Sequence, residues 1–215
     1  MKLFYAPTSP YVRKVMVVAH EVQLVSSIEL VTSGTTPLAG DEDLIAVNPL
    51  GKIPALLTND GMCLFDSRVI CEYLADQAES ATLFGRQGQR NWQALMQQAL
   101  GDGLLDAALL ARYEMLVRPE GERSPQWRAA QLRKVEAALD RIEALLPEIG
   151  GEATIGTISF GCALGYLDFR FPELDWRAGR PAAARWFADF DARASMVATK
   201  PYDRVAPVEP TKIKA

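Results

Sequence analysis

The sequence contains few of the side chains that most often bind metal ions. Of its 215 residues, one is a histidine and three are cysteines. Cys63, Cys71 and Cys162 are scattered, and none belongs to a Cys-x-x-Cys pair. This number and spacing disfavour a zinc site or a disulfide framework, so we expect small buried thiols in a protein of the cytoplasm. We expect no metal and no redox cofactor.

Long apolar runs and an excess of positive charge are also missing. No run reaches the roughly 18 apolar residues of a membrane span. The first residues resemble a strand and lack the apolar core of a secretion signal. The net charge is -4 at pH 7, and no long basic run is present. We therefore expect neither a membrane nor nucleic acid as the main partner.

The most informative segment extends from residue 48 to residue 67. A short apolar run begins after Pro54, an Asn-Asp-Gly turn reverses it, and a second apolar run follows. This pattern predicts a β-hairpin. A cis Ile53–Pro54 bond would leave the backbone of Ile53 free to pair with an extended peptide, as a neighbouring strand would.

The same segment ends in a predicted helix cap. Asp66 and Ser67 precede a helix expected over residues 67–76, whose first-turn N–H groups favour a carboxylate. Together, hairpin and cap predict a binding site for a small, extended, anionic peptide. The alternative is a plain hairpin and cap in which the same residues serve the turn alone.

The order of predicted elements divides the chain. Residues 1–77 alternate short strands and helices, with strands at residues 2–5 and 28–31 and a short helix at 42–46, which predicts a four-stranded mixed sheet. After about residue 90 the pattern is almost entirely helical. Helix starts are indicated by Ser124 before Pro125, by Thr154 and by Pro181.

These residues, over almost the whole chain, resemble the glutathione transferase family. The resemblance implies an α/β thioredoxin-like N-terminal domain (residues 1–78) followed by an all-α helical C-terminal domain (87–215) that contributes the electrophile pocket. It implies that Ile53 pairs with the cysteinyl part of glutathione, with Pro54 as the cis proline. Asp66 and Ser67 would hold the γ-glutamyl end.

Ser9 is the candidate for the reacting centre. It precedes Pro10 at a loop-to-helix junction, which predicts an N-cap with proline at the first helical position. A helix N-terminus and a donating hydroxyl together stabilise a bound thiolate by roughly 2–4 kcal/mol. By resemblance Ser9 matches the catalytic serine of serine-type glutathione transferases. Thr8 is the competing hydroxyl, and a simple cap without catalytic duty is the alternative for Ser9.

Other site residues are weaker candidates. Tyr11 and Tyr113 are possible walls of the electrophile pocket, although aromatic residues at helical spacing more often lie in a core. Lys52 and Arg68 could meet a carboxylate of glutathione, and Arg68 also resembles a position used at the subunit contact. The single histidine, His20, is expected at a helix end, in a surface or cap role.

The function that the resemblance implies is a cytoplasmic, homodimeric glutathione transferase of the detoxification type. Glutathione is the co-substrate, and its thiolate attacks a small hydrophobic electrophile. One alternative is a non-catalytic glutathione-binding or protein-interaction module. Another is a glutathione-dependent isomerase or thiol reductase, although a reductase would be expected to carry a cysteine near position 9.

Thr154 to Thr157 occupy the place where the family usually has a Ser/Thr-x-x-Asp capping box. Thr157 replaces the acid, and a threonine is expected to reach the cap N–H less well than a carboxylate. We therefore expect a stability loss of about 0.5–1 kcal/mol with no catalytic meaning.

Overall fold

In the computed structural model, which describes residues 1–84 and 91–203, four short strands form one mixed sheet. The strands are β1 (Lys2–Tyr5), β2 (Glu29–Thr32), β3 (Ala55–Leu57) and β4 (Cys63–Leu64). Their order is β2-β1-β3-β4, with β1 parallel to β2 and antiparallel to β3. The four-stranded mixed sheet is confirmed, and β2 begins one residue later than the sequence predicted.

Three helices pack with this sheet. They are α1 (Pro10–Glu21), α2 (Glu42–Val47) and α3 (Ser67–Gln77). The helix α1 has one apolar face because valines recur at helical spacing, and Val12, Val15 and Val18 are all buried. The order and the mixed sheet are those of the predicted thioredoxin-like domain, which is confirmed.

The remainder of the described chain is helical. The helices are α4 (Trp92–Leu116), α5 (Pro125–Leu145), α6 (Ile155–Arg170), α7 (Pro181–Asp191) and α8 (Ala194–Ala198). Ser124 caps α5 and Pro181 starts α7, as predicted. Within residues 1–84 and 91–203, no helix is long and apolar enough to cross a membrane. The sequence also predicts a linker from about residue 78 to residue 90, and an extended wrap or frayed end after Pro201. The linker lies partly, and this tail mostly, outside the described residues.

The centre of the helical part is α6. Its residues 155–167 are all buried, and it contacts both α4 and α1. Gly101 of α4 permits this approach, because a Cβ there would lie 3.0 Å from the backbone of Ser159. One hydrophobic cluster extends from Leu3 of the sheet to Phe187 of α7, so the sheet and the helices share a core.

The cap of α6 corrects one expectation. Thr154 N–H donates to the Thr157 hydroxyl at 2.8 Å, and Thr157 N–H donates back to the Thr154 hydroxyl at 3.2 Å. A complete capping box therefore forms without the acid. The prediction that threonine would reach the cap N–H poorly was wrong, because the short side chain at the third helical position lies close enough to accept directly.

Candidate active site

Ser9 lies at the N-cap of α1, as the Ser-Pro sequence predicted. Its Oγ accepts a hydrogen bond from the Val12 N–H at 3.3 Å, and Pro10 occupies the first turn. A hydroxyl that accepts one hydrogen bond still has its own proton to donate. Because Ser9 is partly exposed, its hydroxyl can cap α1 and donate to an anion in front of the helix at the same time.

Thr8 lies beside Ser9 in the wall of a narrow crevice. The crevice is also lined by Pro10, by Tyr166 of α6 and by Pro201, which follows α8. The Thr8 side chain makes no hydrogen bond within the part of the chain that the structure describes. Thr8 and Ser9 therefore both present a hydroxyl proton at the start of α1.

The peptide bond between Ile53 and Pro54 is cis. Ile53 precedes β3, and its backbone N–H and C=O make no hydrogen bond to any described residue. The preceding loop is held by Asn48, which is buried and donates from Nδ2 to the Lys52 carbonyl at 2.8 Å. Sequence reasoning missed Asn48, although a polar residue before Pro-Leu-Gly is a turn signal. The free backbone groups of Ile53 can pair with an extended ligand.

Asp66 and Ser67 form the start of α3. The Asp66 carboxylate accepts a hydrogen bond from the Arg68 N–H at 3.0 Å, so Asp66 is the predicted N-cap. Ser67 is buried, and its hydroxyl has no hydrogen-bond partner among the described residues. The start of this helix thus offers a donor hydroxyl and first-turn N–H groups to an anion.

The strand register brings these segments together. Phe4 near the end of β1 lies opposite Ala55 at the start of β3. Leu64 at the end of β4 lies opposite Leu56. The loop after β1, the loop before β3 and the segment after β4 therefore meet at one end of the sheet, and they carry the Ser9, Ile53 and Asp66–Ser67 positions.

A buried carboxylate of α4 joins the two helices that carry these side chains. Asp102 Oδ1 lies 2.6 Å from Lys14 Nζ of α1, and Asp102 Oδ2 lies 2.8 Å from Arg68 Nε of α3. The hydrogen bond to Asp102 raises the pKa of Arg68. Sequence reasoning missed Lys14 and Asp102, because nothing local indicates a pair separated by 88 positions.

Tyrosines of three helices lie close to this end of α1. The Tyr11 hydroxyl donates to Asp106 of α4, and burial, then this hydrogen bond, raises its pKa well above the ordinary value. Tyr113 of α4 is half buried, and burial raises its pKa while Arg112 lowers it. Tyr166 of α6 interacts electrostatically with both Tyr11 and Tyr113. Sequence reasoning did not select Tyr166, which is buried among apolar residues of α6.

Comparison with known proteins decides the family. The sequence profile described as "Glutathione S-transferase, N-terminal domain" matches residues 8–77, and that described as "Glutathione S-transferase, C-terminal domain" matches residues 125–189. The chain belongs to the glutathione S-transferase family. It is 31% identical to the uncharacterized GST-like protein YibF of Escherichia coli (strain K12), over 94% of this chain and 98% of that protein.

Solved structures of this family share the whole architecture. A glutathione transferase family member from Pseudomonas fluorescens Pf-5 with bound glutathione has a TM-score of 0.90 and 44% identity, covering 94% of this chain and 99% of that chain. A second glutathione transferase family structure from Pseudomonas fluorescens Pf-5, with bound S-(propanoic acid)-glutathione, has a TM-score of 0.86 and 43% identity. It covers 94% of this chain and 100% of that chain.

The cysteines of this family member are free thiols, and two of them are deeply buried. Burial raises the pKa of Cys71 to about 12 and that of Cys162 to about 11. Cys63 is half buried, and burial raises its pKa as well. Cys162 lines the crevice beside Thr8, but its thiol stays protonated at neutral pH. In residues 1–84 and 91–203, no group of His, Cys, Asp and Glu is arranged to hold a metal ion.

Three further charged or titratable residues differ in their surroundings. Arg68 directs its Nε to Asp102 while half of its side chain stays exposed. Lys52 holds its backbone carbonyl toward Asn48. His20 lies in the last turn of α1, where a cation suits the helix dipole.

Proposed function

We propose that the protein is a glutathione transferase in which Ser9 stabilises the glutathione thiolate. The observation that carries the proposal is the Ser9 hydroxyl, which accepts from α1 and keeps its proton for a ligand. The helix N-terminus and this charge-assisted hydrogen bond both favour the ionised sulfur. The thiol proton passes to solvent, and the thiolate then attacks the electrophile.

The proposed glutathione site uses the segments that meet at one end of the sheet. The backbone of Ile53, next to cis Pro54, pairs with the cysteinyl part, since its N–H and C=O have no other partner among the described residues. Asp66 and Ser67 hold the γ-glutamyl end. Two similar Pseudomonas structures, which hold glutathione and S-(propanoic acid)-glutathione, support glutathione as the ligand of this site.

The electrophile pocket is proposed to lie beside Tyr11 and Tyr113, on the side of α1 that faces α4 and α6. Tyr166 supports this placement because it interacts with both. Since Asp106 already accepts the Tyr11 hydrogen bond, Tyr11 contributes its ring to the wall of the pocket and its hydroxyl to the packing of α1 on α4.

The homodimer and the cytoplasmic location are proposed as well. Large apolar side chains are exposed at Met62 (48%), Val69 (46%), Trp92 (74%) and Met96 (46%), near β4, on α3 and on α4, and exposed apolar area favours association. Sedimentation equilibrium should give twice the chain mass. Three free cysteines agree with a reducing compartment.

The experiment that tests the function combines glutathione binding with turnover. Calorimetry should show glutathione binding in the wild type and binding roughly threefold to tenfold weaker in Ser67→Ala, as expected for one lost hydrogen bond. Ser124→Ala, which alters a cap remote from the sheet, serves as the control and should bind normally. An electrophile panel should then show conjugation. Binding without turnover on any electrophile would favour the non-catalytic module, and absence of binding would contradict the proposal.

A further inference from the structure

Near the proposed electrophile pocket, the guanidinium of Arg170 forms an ion pair with the carboxylate of Asp203. Asp203, which follows α8, accepts hydrogen bonds from Arg170 Nη1 at 2.9 Å and from Arg170 Nη2 at 2.5 Å. Arg170 also stacks on the Phe169 ring, with its Cζ 3.8 Å from the ring centroid. The Arg170 side chain is only 14% exposed, whereas that of Asp203 is 66% exposed. The guanidinium of Arg170 is therefore held in place by its surroundings, whereas the Asp203 carboxylate is open to solvent.

A second arginine acts on the same carboxylate. The hydrogen bond from Arg170 holds the pKa of the Asp203 carboxyl below its usual value, and Arg112 of α4 contributes in the same direction. Both arginines also act on the Tyr166 phenol, whose pKa burial raises to about 12 against their opposing effect. Arg112 is half buried and has no ion-pair partner within residues 1–84 and 91–203. Arg170 thus binds the Asp203 carboxylate directly, and Arg112 of α4 adds positive charge that acts on the same carboxylate.

This position lies next to the proposed reacting centre. Tyr166 is one helical turn before Arg170, and it lines the crevice that Thr8 and Pro10 form on either side of Ser9. Pro201, two residues before Asp203, lines the same crevice. Arg170 therefore lies beyond Tyr166 on the helical side of the Ser9 hydroxyl, where the second substrate is expected, and Arg112 acts on Tyr166 from α4.

We propose that Arg112 and Arg170 bind a carboxylate of the second substrate. This carboxylate takes the place of the Asp203 carboxylate, so the electrophile is an organic acid. The proposal rests on the proposed transferase function and adds a substrate class to it. Arginine is suited to this role because its planar fork matches both oxygens of a carboxylate. Because the Asp203 side chain is 66% exposed, water and salt screen its attraction to Arg170, so exchange for a substrate carboxylate is accessible.

A matched pair of aryl chlorides provides the probe. One is a chloronitrobenzoate with the nitro group ortho and the carboxylate para to chlorine, and the other is its carboxamide. In either reaction the thiolate sulfur bonds to the ring carbon that carries chlorine, and chloride leaves with the electron pair of the broken bond. The para substituent is an anionic carboxylate in one substrate and a neutral carboxamide of similar shape in the other, and binding of the conjugates compares the two without the difference in ring reactivity.

The test measures binding of the two conjugates by calorimetry, together with kcat/KM for both chlorides. The wild type should prefer the acid conjugate, and Arg112→Gln and Arg170→Gln should each weaken acid binding by about tenfold to a hundredfold while the amide changes little. Asp203→Asn should bind the acid conjugate more tightly, since the competing carboxylate is gone. Arg141→Gln, an exposed arginine on α5, should behave like the wild type.

Equal affinity of the wild type for acid and amide, or an unchanged preference in both arginine variants, would overturn the carboxylate site. If Asp203→Asn binds the acid conjugate no more tightly than the wild type, the substrate carboxylate does not take the place of Asp203. Either result leaves the transferase function standing if glutathione binds and the amide turns over. Failure of glutathione and both conjugates to bind would instead contradict the proposed function itself.

Discussion

Lys14 and Asp102 form an ion pair that is buried on both sides. Lys14 Nζ lies 2.6 Å from Asp102 Oδ1, and the two side chains are 0% and 2% exposed. The pair connects α1, whose N-cap is Ser9, to α4 of the helical part. Because Arg68 donates to the other oxygen of Asp102, one carboxylate also orients the start of α3. The helical part thus positions both helix N-termini of the proposed glutathione site.

Asp102→Leu is expected to destabilise the protein by about 3–5 kcal/mol. The change leaves the Lys14 ammonium buried without a counter-charge, and removing one partner of a buried pair has an effect of this size. Urea denaturation of the wild type and the variant measures it. Lys14→Met combined with Asp102→Leu should recover a large part of the loss, because no buried charge then lacks a partner and Arg68, whose side chain is 50% exposed, can be solvated.

The exposed pair of Lys2 and Glu29 provides the control for this prediction. Its side chains are 55% and 64% exposed, with the charged atoms 3.8 Å apart. Glu29→Gln should change the free energy of unfolding by less than about 1 kcal/mol. Equal effects of Asp102→Leu and Glu29→Gln would contradict the structural role of the buried pair.

Tyr11→Phe is expected to lower the stability of the protein without changing its tyrosine titration below about pH 10. The lost hydrogen bond to Asp106 should lower the free energy of unfolding by about 1 kcal/mol. Because the pKa of Tyr11 is raised well above its ordinary value, its phenol should stay protonated at about pH 10, where free tyrosine titrates. The ultraviolet titrations of wild type and variant should therefore agree up to that pH. If the wild type instead shows more tyrosinate absorbance than Tyr11→Phe below about pH 10, the Tyr11 phenol ionises in that range and the prediction is wrong.

Stability should fall at acid pH partly through Glu21. Burial opposes ionisation of this carboxyl, but hydrogen bonds from Arg193 and Ser195 outweigh it and lower its pKa below the usual 4.5. The unfolded chain therefore binds the proton at a higher pH than the folded chain. The contribution is complete above about pH 5.5 and is lost as pH falls through the lower, folded pKa.

The measurement is urea unfolding of the wild type and Glu21→Gln between neutral pH and about pH 3. The variant should be less stable by about 1–2 kcal/mol at neutral pH, and the difference should shrink as the pH drops. Glu120→Gln, in an exposed turn, should show no such narrowing. A Glu21→Gln difference independent of pH would contradict the assignment.

Local sequence signals predicted much of the fold. The strand at Lys2–Tyr5, the caps Ser9, Asp66 and Ser124, and the helix start at Pro181 all follow from short-range chemistry: apolar alternation, capping oxygens and proline in the first turn. The resemblance to the family added the arrangement of the two parts. Site roles remain predictions, because they depend on a ligand.

Long-range pairs could not be predicted. Lys14 lies between valines on α1 and would ordinarily be placed in solvent, yet it is fully buried because Asp102 meets it from another part of the chain. Arg170 and Asp203 meet for the same kind of reason. Thr157 shows the opposite limit: the expectation from residue type failed because local backbone geometry decides which oxygen can reach the cap.

The central claim is that the Ser9 hydroxyl stabilises a glutathione thiolate, and titration of the bound thiol by thiolate absorbance tests it most directly. Ser124→Ala is the matched control because it removes the same Ser-Pro cap from α5, where the Ser124 hydroxyl accepts from the Trp127 N–H at 3.2 Å. Thr8→Val tests the neighbouring hydroxyl. We predict a thiol pKa well below the free value of about 8.5 in the wild type and in both controls, and a pKa about 1–2 units higher in Ser9→Ala. A bound thiol with the same pKa in the wild type and Ser9→Ala would contradict the account.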